Sequence, residues 1–117
     1  MKKIKNTFGR HYLVEYIGCD EKRIRHVREV KPALLKAARL SKATILKNYF
    51  YQFRPVGVSG LMFIAESHFS IHTWPEDCYA GLDILTCGEM YPQRAVDYLA
   101  KYFKAKKVIQ KIIPRGF

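Results

Sequence analysis

The sequence predicts an α+β fold, a two-layer sandwich in which a mostly antiparallel sheet carries two helices packed on one face. Six segments are rich in β-branched and aromatic residues or alternate apolar with polar residues, as strands do. Two further segments have apolar residues at helical spacing. Turn signals such as Pro55-Val-Gly57 and Pro75-Glu-Asp77 separate successive strands by only a few residues. Together these observations indicate a sheet built mainly from consecutive antiparallel strands.

The elements are expected in the order β-α-β-β-β-β-α-β. Strands are predicted at residues 11–17, 44–54, 58–65, 69–74, 79–86 and 108–113. Asp20 is a candidate N-cap for the first helical pattern, but Pro32 interrupts that pattern. A short turn followed by a helix that starts near Pro32 is therefore expected. Pro92 is expected to open the second helix.

The length of 117 residues is expected for a single domain, spanning residues 1–117. No apolar run approaches the roughly 18 residues of a membrane span, and the basic N-terminus lacks the apolar region of a signal peptide. The three cysteines are an odd number without zinc-type spacing, and reduced thiols are expected. The sequence thus predicts a cytoplasmic protein without a membrane partner.

The chain carries a large excess of positive charge, with 21 Lys and Arg against 10 Asp and Glu and a formal net charge of +11. A charge of this size permits binding to nucleic acid or to an anionic surface. The basic residues concentrate at residues 2–10, 22–39 and 101–111. Because two of these segments have helical spacing, solvated helix faces explain the charge better, and no nucleic-acid partner is expected.

Reactive side chains concentrate between residues 57 and 88. Ser67 with His72 and Glu76 could imitate a hydrolase triad, but no G-x-S-x-G nucleophile elbow is present. His68, His72 and Cys87 could ligate a metal. At about 3.3 Å per strand residue, however, the two imidazoles would lie more than ~10 Å apart, so no metal is expected.

Three strings in this stretch are specific: Gly57-Val-Ser-Gly60, Ala65-Glu-Ser-His-Phe-Ser-Ile-His-Thr-Trp-Pro-Glu76 and Asp83-Ile-Leu-Thr-Cys-Gly88. With Gly9-Arg-His11 and Gly18-Cys-Asp20, they strongly resemble the short prokaryotic S-adenosylmethionine decarboxylases. The resemblance runs over nearly the whole chain. It implies a proenzyme that cleaves itself into a β chain, residues 1–66, and an α chain, residues 67–117.

The resemblance assigns roles in this cleavage to individual residues. The Ser67 hydroxyl would attack the Glu66 carbonyl and convert the amide to an ester, with Ser59 assisting. His72 would take the α-proton for β-elimination. The product would be a pyruvoyl group, covalently bound at residue 67. That group would form a Schiff base with the substrate amine and accept electrons as carbon dioxide leaves, a task for which no ordinary side chain is suited. Cys87 corresponds to the proton donor.

The resemblance also implies a substrate and a partner. Phe53 corresponds to the aromatic residue that stacks on adenine, and Glu76 to the carboxylate that holds the ribose hydroxyls. The expected activity is S-adenosylmethionine decarboxylation for spermidine and polyamine biosynthesis, in a homodimer with sites near the subunit interface. L-Arginine or L-ornithine remains open as the substrate, because family members that use them keep the same processing residues. An uncleaved, inactive paralogue that acts as a binding protein is a more distant alternative.

Overall fold

The computed structural model describes residues 8–116 and has the predicted order of elements. Within these residues all neighbouring strands pair antiparallel, in the order β2-β3-β4-β5-β1-β6. The predicted fold class is confirmed, whereas the basic positions 2–5 lie outside the described residues. The strands are β1 (Gly9–Ile17), β2 (Ile45–Gln52), β3 (Val58–Ile64), β4 (Ser67–Trp74), β5 (Tyr79–Thr86) and β6 (Lys107–Arg115), and the helices are α1 (Val27–Leu40) and α2 (Pro92–Tyr102).

Helix α1 begins earlier than the sequence predicts. The expected start near Pro32 is wrong, because the helix already begins at Val27 and contains Pro32 in its second turn. Asp20 instead caps a separate 3-10 turn, Glu21–Arg23. The Val27 amide donates to the Gln52 side-chain oxygen at 2.7 Å, so β2 supplies the cap that the helix itself lacks. This cap and the buried face of the helix offset the hydrogen bond that the proline removes.

The core lies between one face of the sheet and the two helices. Strand residues on this face alternate with exposed or half-buried ones, as the pleat of a half-buried sheet requires. Neither described helix is long and apolar enough to cross a membrane. The buried residues that join the two layers include Val14, Tyr16, Met62, Phe69, Ile71 and Ile84 from the sheet and Val30, Leu34, Val96 and Leu99 from the helices.

The opposite side of the sheet, here called the open face, has neither helix packed on it, since both described helices contact the core side. It is unusually apolar for a solvent-facing surface. Tyr49 is 69% exposed and Phe63 is 54% exposed. A patch of this kind in a soluble protein marks an interaction surface or a ligand site. Its large apolar side chains that are at least 40% exposed include Tyr49, Tyr51, Leu61, Phe63 and Trp74.

Candidate active site

The bond between Glu66 and Ser67 lies in the tight turn that joins β3 to β4. Ser67 has a φ of 140°, a region that residues with a Cβ rarely adopt. Its hydroxyl donates to the Cys87 thiol sulfur at 3.7 Å, just past the end of β5. A non-glycine residue in such a conformation costs of order 1–3 kcal/mol, and such strain concentrates at functional sites. We call Glu66, Ser67 and Cys87 the cleavage cluster.

The carbonyl of Glu66 is polarised by a neighbouring amide. The Cys87 N–H donates a hydrogen bond of 2.8 Å to the Glu66 carbonyl oxygen. The donor is a backbone group, so its position is fixed by the pairing of β4 with β5, in which Ser67 faces Thr86. A fixed N–H aimed at a carbonyl oxygen stabilises negative charge that develops there during nucleophilic attack. The cleavage cluster therefore has the elements of an oxyanion site.

Ser59 and His72 form a second polar pair on the open face. The Ser59 hydroxyl oxygen lies 2.7 Å from Nδ1 of His72. The two residues face each other directly in the register of β3 and β4, so the sheet holds them together. This pairing brings together two of the residues for which the resemblance implies a role in processing a precursor.

A cavity of about 270 Å³ adjoins this pair. Phe53, Glu76 and Trp74 line it, and Phe53 packs edge-on against Tyr51 with ring centroids 4.9 Å apart. The Phe53 amide donates to the Gly57 carbonyl at 2.8 Å, which closes the turn before β3 and fixes the phenyl ring at the cavity. We call Phe53, Ser59, His72 and Glu76 the pocket cluster. It combines an aromatic face, a carboxylate and an imidazole around one cavity.

The two clusters lie apart within one chain. Register pairs Ile64 with Ser67 at one end of β3 and β4 and Ser59 with His72 towards the other end. Ser67 and His72 are five residues apart on β4, which corresponds to roughly 16 Å along a strand. The structure thus brings the predicted site residues together as two groups. It does not bring His72 to Ser67 within the same chain.

Trp74 stacks on Tyr79 at the far end of β4, with ring centroids 5.2 Å apart. The Tyr79 hydroxyl donates a hydrogen bond to a carboxylate oxygen of Glu15. Burial, together with that carboxylate, raises the pKa of Tyr79 to about 12. Tyr79 is therefore a neutral hydrogen-bond donor at physiological pH, and it helps to fix the indole ring that lines the cavity.

A third polar group on the open face was not assigned a role from the sequence. His68 Nε2 lies 3.1 Å from Asp83 Oδ1, and Ser70 donates to Asp83 Oδ2 at 2.9 Å. His11 Nε2 lies 3.4 Å from the same carboxylate, and Arg115 contacts His11 Nδ1 at 3.2 Å. Asp83 is thereby contacted by residues from β4 and β1, the two strands that flank β5. The strings that contain these residues were recognised, but only the register shows that they meet.

Two further cysteines were expected to be ordinary thiols without a site role. Cys19 is buried, and burial raises its pKa to about 11, with a smaller contribution from Cys78. A buried thiol with a raised pKa is unreactive near neutral pH. Cys87, in contrast, is exposed and lies beside Ser67.

Comparison with known proteins identifies the family of the chain. Residues 10–116 match the family model described as S-adenosylmethionine decarboxylase. A Pyrococcus abyssi S-adenosylmethionine decarboxylase proenzyme is 46% identical over 112 residues, which cover 95% of this chain and 81% of that relative. A relative of the same name from Sulfurihydrogenibium is 40% identical, covering 97% of this chain and 86% of its own length.

The fold comparison gives the same result. The crystal structure of the adenosylmethionine decarboxylase from Aquifex aeolicus superposes with a TM-score of 0.90 and 34% identity, over 97% of this chain and 94% of that one. Sequence and fold therefore agree along almost the entire chain. The protein belongs to the S-adenosylmethionine decarboxylase family.

Proposed function

We propose that the protein is a self-cleaving, pyruvoyl-dependent S-adenosylmethionine decarboxylase that works as a homodimer. The observation that carries the proposal is the hydrogen bond from the Cys87 amide to the Glu66 carbonyl, beside a strained Ser67. The relatives named above are proenzymes, which supports the same chemistry here. The expected product serves as a precursor for spermidine and other polyamines in the cytoplasm.

The geometry of the cleavage cluster supports an acyl shift at residue 66. The Ser67 oxygen attacks the Glu66 carbonyl carbon, while the Cys87 N–H stabilises the resulting oxyanion. The C–N bond then breaks, and Glu66 is left as an ester on the Ser67 oxygen. Loss of the Ser67 α-proton and of the Cβ–O bond releases the Glu66 carboxylate. Hydrolysis of the remaining enamine liberates ammonia and leaves a pyruvoyl group at residue 67.

Removal of the α-proton requires a base near Ser67, and His72 is too far away within one chain. A second copy resolves this if the two open faces stack about a two-fold axis, because the cleavage cluster of each copy then meets the pocket cluster of the other. The exposed Tyr49, Tyr51 and Phe63 would be buried in such a dimer. We therefore propose two composite sites for each homodimer.

In a composite site His72 acts as a base through one ring nitrogen, while the other ring nitrogen is hydrogen-bonded to Ser59. If Nδ1 donates to the Ser59 oxygen at 2.7 Å, Nε2 is left free to accept a proton. The pair thereby fixes both the tautomer and the orientation of the imidazole. Ser59 thus supports proton removal by His72, a step later than the ester formation in which the resemblance implies that it assists.

The residues around position 67 fit a pyruvoyl group, because the exposed Cys87 thiol already contacts the Ser67 oxygen. When formed, the group supplies the electron sink that decarboxylation needs. The Cys87 thiol is then the nearest acid for protonating the product carbon. No metal is required for this chemistry.

The pocket cluster favours S-adenosylmethionine over smaller substrates. The exposed Phe53 ring offers a π-face for a purine, and the Glu76 carboxylate can accept from a ribose diol. Arginine and ornithine have neither group, so they would leave Phe53 and Glu76 without partners. The names of the relatives point to the same substrate.

The test is release of carbon dioxide from S-adenosylmethionine, L-arginine and L-ornithine, each assayed with the purified protein and with Ser67→Ala as a blank. We expect release from S-adenosylmethionine that depends on Ser67. Preference for arginine or ornithine would overturn the proposed substrate but would leave the proposed reaction, decarboxylation, intact. Absence of release from all three by fully cleaved protein would contradict the proposed function.

A further inference from the structure

The Glu66 side chain is held by a residue that has no assigned role. Thr44, immediately before β2, donates its backbone amide to Glu66 Oε1 at 3.1 Å and its hydroxyl to Glu66 Oε2 at 3.2 Å. The Ala65 amide in turn donates to the Thr44 carbonyl at 2.8 Å. Thr44 therefore contacts the two residues that precede the cleaved bond. Both carboxylate oxygens of Glu66 have a donor from this single residue.

Two residues that follow β5, Cys87 and Gly88, also contact Glu66. The Cys87 amide holds the Glu66 carbonyl oxygen, as described above. Gly88 packs so closely on the Glu66 side chain that an added Cβ would lie 2.6 Å from Glu66 Cγ. Glu66 is thus fixed at its carbonyl, along its side chain and at its carboxylate. Rotation about its backbone would break at least one of these contacts.

We infer that Thr44 is a positioning residue for self-cleavage. It binds the Glu66 carboxylate and thereby keeps the Glu66 carbonyl in line with the Ser67 hydroxyl. The inference rests on the proposed function, because it concerns the same bond. An acyl shift depends on the angle at which the oxygen approaches the carbonyl carbon. Thr44 touches neither reacting atom and acts only through Glu66.

The expected loss in the rate of self-cleavage follows from the strength of the hydrogen bond between the Thr44 hydroxyl and Glu66. Thr44 is exposed, so water partly replaces a lost hydroxyl contact. The Thr44→Val substitution keeps the β-branched shape and the backbone amide and removes only the hydroxyl. We expect self-cleavage to slow by roughly threefold to tenfold, which corresponds to the net value of one hydrogen bond. Thr44→Ser, which keeps the hydroxyl, is expected to cleave at nearly the wild-type rate.

The experiment follows conversion of freshly synthesised full-length precursor into two chains on denaturing gels. Wild type, Thr44→Val and Thr44→Ser are compared, with Asn48→Val as a matched control at an exposed polar position of β2, the strand that follows Thr44. A parallel reaction contains hydroxylamine, which attacks the Glu66 ester to give a hydroxamate and a free Ser67 hydroxyl, and so reports the amount of ester. Unfolding temperatures are measured in the uncleavable Ser67→Ala background, with and without Thr44→Val.

A positioning role predicts slower cleavage of Thr44→Val in both reactions, rescue by Thr44→Ser and little change in the unfolding temperature. Thr44→Val cleaving at the wild-type rate would overturn the inference and leave the proposed function intact. A large drop in the unfolding temperature caused by Thr44→Val, together with slow cleavage of Thr44→Ser, would also overturn it, because Thr44 would then act on stability. Wild-type precursor that never cleaves would refute the proposed function itself.

Discussion

Ser67 and His72 lie on the same strand, β4, but five residues apart, so that Ser67 begins the strand at the cleavage cluster while His72 lines the cavity. His72 is paired with Ser59 at 2.7 Å, and Ser67 with Cys87 at 3.7 Å. Neither pair alone contains a nucleophile, an oxyanion donor and a base. The separation of Ser67 from His72 along β4 is the reason to expect a composite site formed by two copies.

Complementation between two inactive variants tests that argument. Ser67→Ala and His72→Ala are each expected to remain uncleaved when expressed alone. When they are co-expressed with different tags, a mixed dimer contains one intact composite site, made of Ser67 from one copy and His72 from the other. We predict that the His72→Ala chain is cleaved in the mixture and that the Ser67→Ala chain stays whole, as read on denaturing gels.

The control is co-expression of two differently tagged copies of the same variant, which should give no cleavage. If the mixed pair stays uncleaved although the tags co-purify, His72 does not act across the interface. Cleavage of the His72→Ala chain without a partner would show that another base serves.

Removing the aromatic ring of Phe53 should weaken substrate binding. Phe53 is 47% exposed at the cavity and would stack on adenine. We predict that Phe53→Ala raises KM for S-adenosylmethionine roughly tenfold, the value of one base stacked on an aromatic ring. Self-cleavage and kcat should change little, and Phe53→Tyr should keep most of the affinity. An unchanged KM in Phe53→Ala would remove the main argument for an adenosyl substrate.

Cys87 should matter for turnover more than for cleavage. The Cys87→Ser variant keeps the backbone N–H that contacts Glu66, so the two chains should still form. A serine hydroxyl is a much weaker acid than a thiol, and kcat for carbon dioxide release should fall at least about a hundredfold. Steady-state assays on fully cleaved protein measure this. A variant that cleaves normally and turns over at the wild-type rate would contradict the role of proton donor.

The buried thiol of Cys19 gives a prediction for stability against pH. Burial raises its pKa from 9.0 to about 11, so the folded state binds this proton more tightly than the unfolded state. The resulting stabilisation is full below about pH 9, where both states are protonated, and is lost as the pH rises towards 11. The loss is on the order of 2 kcal/mol.

Denaturant unfolding of wild type and Cys19→Ala at several pH values measures this contribution. Other groups whose pKa differs between the folded and unfolded chain, such as Tyr79 with its pKa raised to about 12, affect both proteins alike. The free energy of unfolding should fall more steeply for wild type, so that the difference between the proteins shrinks from pH 9 to 11. A constant difference over that range would show that the thiol does not titrate as its burial requires.

Much of the fold follows from local patterns. Alternation in residues 69–74 predicts β4, because one face of the sheet is buried and the other is not. The start of α1 was missed because Gln52, distant in the chain, caps Val27 and makes a proline in the second turn tolerable. Local propensity carries no information about such a contact.

The site was predictable as a set of residues but not as an arrangement. Ser59, Ser67, His72 and Cys87 were identified from their strings, yet their division into two clusters depends on strand register. Thr44 lies outside every recognised string, and only the tertiary contact with Glu66 reveals it. Register and contacts between distant segments are properties of the folded chain.

The central claim is cleavage between Glu66 and Ser67 with formation of a pyruvoyl group. Intact-mass spectrometry of the purified protein, together with its Ser67→Ala variant, tests it directly. We predict two chains, residues 1–66 and 67–117, the second beginning with pyruvoyl in place of serine, and one whole chain for the variant. A single uncut chain of 117 residues from correctly folded wild-type protein would contradict the account.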